Sequence, residues 1–276
     1  MVVVTCFSQK GYEETGRKSL QTFVENWPCK IIAYYEEMEP DFKHPNIEYR
    51  PFFLIPGVVG FLEYLMNIPQ ANGVVTQNGK ERYNYNYDIW KFCRKMFAQY
   101  DVLGSEKGKV FWLDNDVVTK KPVPEEFLEE LFYDYSEDDR REYPESLVYL
   151  GRKGFHSETG FVGFDTEHPD FEKFFDRYVK VLKQGIIFSL PRWHDCEAFD
   201  WAREGKGKDL SPFWKQGDPL GVWNKTVLNE YMDHFKGQRK YLVNETVESV
   251  QEDAPEQEEL QRKVAQTTRR KNQSLH

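Results

Sequence analysis

The sequence predicts an α/β fold in which a mostly parallel sheet carries helices on both faces. Two observations predict it. Short apolar runs with strand composition alternate with amphipathic segments of helical period. The runs are nearly continuous in apolar residues, as strands covered on both faces are. At 276 residues the chain can bury a sizeable core, as one large domain or two small ones.

Val2 to Phe7 reads as the first strand. Ser8 to Gly16 reads as a polar turn, followed by a helix to about Asn26 with Leu20, Phe23, Val24 and Trp27 on one face. Pro28 ends that helix, and Lys30 to Tyr35 and Ile47 to Phe53 read as the next strands. Gly57 to Met66 begins a short helix. Gln77 to Tyr87 is expected to be a polar, Tyr-rich loop. It leads into a helix from Asp88 to Ala98 whose broad apolar stripe contains Ile89, Phe92, Cys93 and Met96. Arg94 and Lys95 are expected to protrude from it. Pro124 to Glu137 reads as an acidic surface helix, Leu147 to Leu150 and Gly160 to Phe164 as strands, and Pro169 to Lys183 as an amphipathic helix. The organisation expected is one domain over 1–245 and a charged, flexible tail over 246–276.

Net charge is -9 and the isoelectric point is near 5.3, which argues against bulk electrostatic binding of nucleic acid. Cys6, Cys29, Cys93 and Cys196 form no C-x-x-C pair, so a reducing cytoplasm is the simplest compartment. The opening run has no basic leader, and no run approaches the ~18 apolar residues of a spanning helix. No membrane is expected as a partner, and the oligomeric state is left open.

The most informative stretch is Val110-Phe-Trp-Leu-Asp114-Asn115-Asp116-Val-Val118. A buried strand ends in two carboxylates, and burying two anions costs several kcal/mol unless a cation neutralises them. Hard oxygen ligands at the carboxyl end of a strand suit a divalent ion that also holds a phosphate-bearing substrate. A strand-end turn is the bland alternative. His234-Phe-Lys-Gly237-Gln-Arg-Lys240 supplies an imidazole for such a site, a glycine for close backbone approach and a lysine for phosphate oxygens. Read in isolation, it is an ordinary helix end with Gly237 as C-cap.

Asp114-x-Asp116 followed by His234-x-x-Gly237-x-x-Lys240 resembles the retaining glycosyltransferases of the glycogenin and lipopolysaccharide galactosyltransferase family. The resemblance implies a GT-A fold, a single Rossmann-like domain. It implies Asp114, Asp116 and His234 as ligands of Mn2+ (or Mg2+), and Lys240 on the diphosphate of a nucleotide-sugar donor. Thr5, Phe7, Ser8, Asn115 and Gly237 join the donor-binding group, with the base against the first strand. Lys95 is expected to add positive charge there. Asp88 is expected either to orient a donor hydroxyl, to pair with Arg94, or to cap its helix. Glu158 and Thr159 stand where the family has an Asn-Ser pair, and Asp195 matches an aspartate beside the reacting sugar; Asp195 also suits a helix N-cap. Asp195 and Glu158 are the catalytic candidates.

Phe7-Ser-Gln-Lys10-Gly11-Tyr12-Glu13, Tyr87-Asp88 through Phe92 to Lys95, Trp112 to Pro124 and Trp193 to Asp200 also look like segments of phage-encoded glycosyltransferases. That likeness covers about residues 2–242 and suggests modified DNA as acceptor. Arg82, Lys91, Lys153, Arg192, Lys206 and Lys208 are candidates for the basic surface a DNA acceptor needs, or are solvated charges. A nucleotidyltransferase, a phosphatase and a non-catalytic nucleotide-sugar binder are the competing readings. The loop from Gly205 to Gly221, with Trp214, is a candidate lid.

Overall fold

The computed structural model describes residues 1–133, 144–215, 221–237 and 239. Lys240, the expected domain boundary at 245 and the expected tail lie outside the described residues. The strands are β1 (Val2–Phe7), β2 (Lys30–Tyr35), β3 (Ile47–Pro51), β4 (Val74–Gln77), β5 (Lys80–Tyr83), β6 (Lys109–Leu113), β7 (Val117–Thr119), β8 (Leu147–Arg152), β9 (Phe155–Asp165), β10 (Lys208–Asp209) and β11 (Met232–His234). The helices are α1 (Gln9–Gly11), α2 (Arg17–Asn26), α3 (Val58–Leu65), α4 (Ile89–Ser105), α5 (Glu125–Glu130), α6 (Phe171–Lys183) and α7 (Asp195–Arg203).

Among the described residues, seven strands form the central sheet in the order β10-β8-β9-β6-β1-β2-β3. β1 pairs in parallel with β2 and β6, β2 with β3, and β8 with β10. β9 is antiparallel to both its neighbours, β6 and β8. The α/β architecture with a mostly parallel sheet is therefore present. Alternation along β1 serves two cores: Val2 and Val4 pack with α3, α4 and α6, whereas Val3 and Phe7 pack with α2 and α5. Burial on both faces explains why these strands read as unbroken apolar runs.

Several segments differ from the sequence expectation; the acidic helix expected from Pro124 to Glu137, for one, ends at Glu130. Ser8 to Gly16 is helical: the Ser8 hydroxyl accepts from Gly11 N at 3.2 Å, and α1 runs through a π turn (Tyr12–Gly16) into α2. Gly11 serves close packing instead of a turn, since a Cβ there would lie 2.9 Å from Asn115 Nδ2. The expected loop at 77–87 contains β5, paired with β4 through Asn78 (φ 53°) and Gly79 (φ 71°). Asn-Gly is the sequence signal for a turn needing two positive φ angles. Finally, α4 runs on to Ser105, because Val102 and Leu103 extend its buried stripe.

Candidate active site

The candidate site forms where β6 ends. β7 follows at once and pairs antiparallel with β11, setting His234 opposite Val117. This pairing joins two motifs far apart in sequence. Asp116 Oδ1 lies 2.8 Å from His234 Nε2, and Asp114 Oδ2 lies 3.6 Å from it. One oxygen of each carboxylate and one imidazole nitrogen all lie within 4.8 Å of one another. Asp116 and His234 are buried. Gly160 leaves room for the imidazole: a Cβ at this position would sit 2.4 Å from His234 Cε1. Trp223 packs on the ring from another side, with centroids 5.1 Å apart.

Lys95 corrects its expected position. It does not protrude but is buried, with its ammonium at the centre of the site. Nζ lies 2.9 Å from Asp114 Oδ1 and 3.1 Å from Asp195 Oδ2, and it donates to the carbonyl and hydroxyl of Thr159. It also lies 4.9 Å from the centre of the Trp112 ring. Burial favours the neutral amine, but the two carboxylates outweigh it and hold the Lys95 pKa above its ordinary value. Trp112 Nε1 donates to the same Asp114 Oδ1 at 2.6 Å. Asp114 is thereby fixed with Oδ1 bound to protein and Oδ2 turned toward His234.

Thr159 and Asp195 complete this cluster, with the Thr159 hydroxyl donating to Asp195 Oδ2. Asp195 is the first residue of α7, and the N-cap is His194, whose Nδ1 accepts from Glu197 N at 3.3 Å. Glu158 faces the other side of the site. It accepts from Gly160 N at 3.1 Å, pairs with Lys236 and lies 3.7 Å from Arg152. The opposed directions of Glu158 and Thr159 are the alternation of consecutive strand residues, and the register of β9 against β8 is irregular just before them. Between the Val148–Gly163 and Leu150–Glu158 pairs, β8 advances two positions while β9 retreats five.

Burial would raise the carboxyl pKa values of Asp195 and Glu158, but neighbouring cations reverse it. Lys95 and the Thr159 hydrogen bond bring Asp195 from 3.8 to about 2. Lys236 and Arg152 bring Glu158 from 4.5 to about 2. The stabilisation from ionising these groups is complete above the ordinary carboxylate range and is lost as the pH falls to about 2. Chemical denaturation at descending pH should show this loss between those limits. The loss should be smaller in Glu158→Gln; an identical acid profile in that variant would contradict the assignment.

The remaining candidates are placed less centrally. Asn115 packs against Gly11, which brings the aspartate turn up to the start of the helix that follows β1. Phe7 is buried in the core, and Thr5 is buried with its hydroxyl unpartnered among the described residues. Gly237 follows His234 in the left-handed region, at φ 58°. Asp88 caps α4, accepting from Lys91 N at 3.1 Å and from the Tyr83 hydroxyl at 2.7 Å. Arg94 pairs instead with Glu36 at 2.8 Å. Lys236 and Arg152 were not singled out from sequence, although Lys236 lies inside the histidine motif.

His194, Asp195 and Cys196 also bring nitrogen, oxygen and sulfur within 4.8 Å. A cation is disfavoured there by the positive end of α7, by the engagement of His194 Nδ1 with Glu197 N, and by burial, which raises the pKa of the Cys196 thiol. Among the described residues, no helix is long and apolar enough to cross a membrane.

No family model matches the chain. No curated protein matches it in sequence. Among solved structures it is similar to the apo form of the bifunctional glycosyltransferase WbbM, at 12% identity and a TM-score of 0.49 over 86% of this chain and 46% of that one. It is similar to the glycosyltransferase GlyE of Streptococcus pneumoniae TIGR4, at 12% identity and 0.43 over 76% and 44%. An active-site mutant of LgtC matches at 11% identity and 0.44 over 93% and 98%. The chain spans less than half the length of the first two proteins. At these identities, what each residue does rests on the geometry of the site itself.

Proposed function

We propose that the chain is a divalent-metal-dependent glycosyltransferase of GT-A architecture that moves a sugar from a nucleotide-diphosphate sugar to an acceptor hydroxyl. The observation that carries this reading is the convergence of Asp114, Asp116 and His234 at the end of a parallel strand. The donor set fits Mn2+ or Mg2+, with two hard carboxylates and an imidazole whose place is kept open by Gly160. Bound there, the ion would neutralise charge on the departing diphosphate. Gly160→Ala is expected to displace His234 and weaken Mn2+ binding about 10- to 100-fold. Calorimetric titration checks this, and wild-type affinity would contradict it.

The side chains divide the remaining work. Lys236, half-exposed beside Glu158, is placed to meet the diphosphate, and Lys240 is proposed to join it. Asp195 stays ionised, with Oδ2 held by Lys95 and Thr159 and Oδ1 accepting a weak bond from the Cys196 thiol at 3.9 Å, so Oδ1 is the oxygen proposed to face the sugar. A carboxylate with a pKa of about 2 is a weak base, so Asp195 and Glu158 suit electrostatic support of a sugar cation better than proton abstraction. That favours retention: the acceptor oxygen bonds the anomeric carbon on the face that the diphosphate leaves. The bond to the diphosphate breaks with its electron pair going to phosphate, which takes the acceptor proton. Thr5, Phe7, Ser8 and Asn115 are proposed to line the nucleotide side.

The acceptor suggested by the phage likeness is a hydroxymethylated base in DNA, which would place the enzyme in the cytoplasm of an infected host. A saccharide or protein acceptor is the alternative. The nucleotidyltransferase reading is disfavoured because the segment after β1 is helical and holds no glycine-rich phosphate loop. The test is a hydrolysis screen of UDP-glucose, UDP-galactose, UDP-N-acetylglucosamine, GDP-mannose and TDP-glucose with Mn2+. Release of nucleoside diphosphate from at least one donor, stopped by chelator, is expected. No release and no binding of any donor would overturn the proposal.

A further inference from the structure

His156 and His194 form a pair that the site described above does not use. Their ring centroids lie 4.6 Å apart, and both Nε2 atoms are buried with no hydrogen-bond partner among the described residues. His194 is 2% exposed. The tautomers follow from what each Nδ1 contacts. His194 Nδ1 accepts from Glu197 N, so the proton of its neutral ring is on Nε2. His156 Nδ1 meets Arg152 Nη2, which can only donate, and lies 3.1 Å from the Ser157 carbonyl, which can only accept; Arg152 Nη2 is the closer and itself donates to that carbonyl, so Nδ1 takes the acceptor role and this ring also carries its proton on Nε2. Burial keeps both rings neutral: it lowers the His156 pKa and takes that of His194 down to about 4.

Two buried N–H donors without acceptors are a costly arrangement, at about 1–3 kcal/mol each. Native structures answer such groups with a water or a ligand. Position favours a ligand. Arg152 contacts both His156 Nδ1 and, at 3.7 Å, Glu158 Oε2, and His194 directly precedes Asp195, whose charge acts on its ring, so the pair lies beside both carboxylates. Over the pair lies the tip of the β8–β9 hairpin. The Phe155 ring is 4.8 Å from that of His156 and is itself flanked by the guanidiniums of Arg152 and Arg192. This tip turns through Gly154 at φ 80° and follows the register irregularities of β8 and β9, so little ladder ties it down. Neither nitrogen can ligate a cation while Nδ1 is engaged and Nε2 is protonated. Neutral donors match the oxygens of sugar hydroxyls.

We propose that the Nε2–H groups of His156 and His194 form a subsite that reads hydroxyl oxygens of the transferred sugar, which rests on the sugar-transfer reading above. The subsite gives the enzyme its preference among sugars on one nucleotide, and the hairpin tip lifts to admit the sugar.

The experiment compares binding of each donor in the panel with binding of its own nucleoside diphosphate, by calorimetry with Mn2+. His156→Asn and His194→Asn keep a short side-chain acceptor near the Nδ1 position and remove Nε2–H; Asn is also a good N-cap. His156→Gln keeps a donor near the Nε2 position. Each Asn variant is expected to weaken nucleotide-sugar binding about tenfold, with nucleoside diphosphate affinity unchanged. His156→Gln should stay close to wild type. An unchanged ratio of the two affinities would overturn the subsite and leave the pair holding a water only. Equal weakening of both ligands would also overturn it, as a merely structural role. Wild-type binding of the diphosphate with no gain from the sugar refutes this subsite but not the donor site. Failure of the wild type to bind either ligand refutes both.

Discussion

Asp116→Ala is expected to lower Mn2+-dependent donor turnover by about 10³-fold or more while the protein stays folded. The magnitude follows from a metal that supplies several kcal/mol of leaving-group stabilisation, at about 1.4 kcal/mol per tenfold in rate. Asp116 is 5% exposed, and its Oδ1 lies 2.8 Å from His234 Nε2, so its loss removes one ligand and frees another. The fold should tolerate the change, because β7 is held by backbone pairing to β11 and by Val117 in the core. Asp116→Asn separates charge from shape, since it keeps the contact to His234 but loses the anion, and it should be nearly as inactive. Turnover and melting temperature, measured side by side, check both variants. Full activity of Asp116→Ala in the presence of chelator would sink the metal assignment.

Lys95→Met is expected to cost about 3–5 kcal/mol of folding stability as well as activity, because it leaves buried carboxylates without their cation. Asp195 is the more exposed to this effect, with its side chain 6% accessible and Lys95 its nearest cation at 3.1 Å. Exposed pairs such as Lys10–Glu14 contribute little by comparison. If the penalty comes from the stranded charge, Asp195→Asn should restore part of the stability in the Lys95→Met background. The double-mutant cycle would then show a coupling of about 0.5–3 kcal/mol. Additive losses, or a loss below about 1 kcal/mol, would show that Lys95 is not the keystone the geometry makes it.

Lys95 also marks the limit of what the sequence disclosed. Helical spacing identified α4, but charge alone suggested that Lys95 faces water. Its burial depends on Asp114 and Asp195, carboxylates from β6 and α7 that helical periodicity cannot see. The metal-ligating candidates were legible because their residue types are chemically unusual at the end of an apolar run. The β7–β11 pairing that joins them was not, since two three-residue strands carry almost no periodic signal. The β4–β5 hairpin was missed despite its Asn78-Gly79 turn, because four exposed residues in β5 gave no apolar alternation. The opening of the chain shows the converse: β1 and β2 match their apolar runs from end to end, since both faces are covered.

The account stands on Asp114, Asp116 and His234 acting together as one divalent-cation site that serves a nucleotide donor. Mn2+ titration followed by electron paramagnetic resonance, with and without the nucleoside diphosphate of the preferred donor, tests it most directly. One bound ion per chain is expected, held more tightly when the diphosphate is present, with binding lost in Asp114→Ala/Asp116→Ala and weakened in His234→Ala. Undiminished Mn2+ binding by the double aspartate variant, or binding indifferent to the diphosphate, would contradict it.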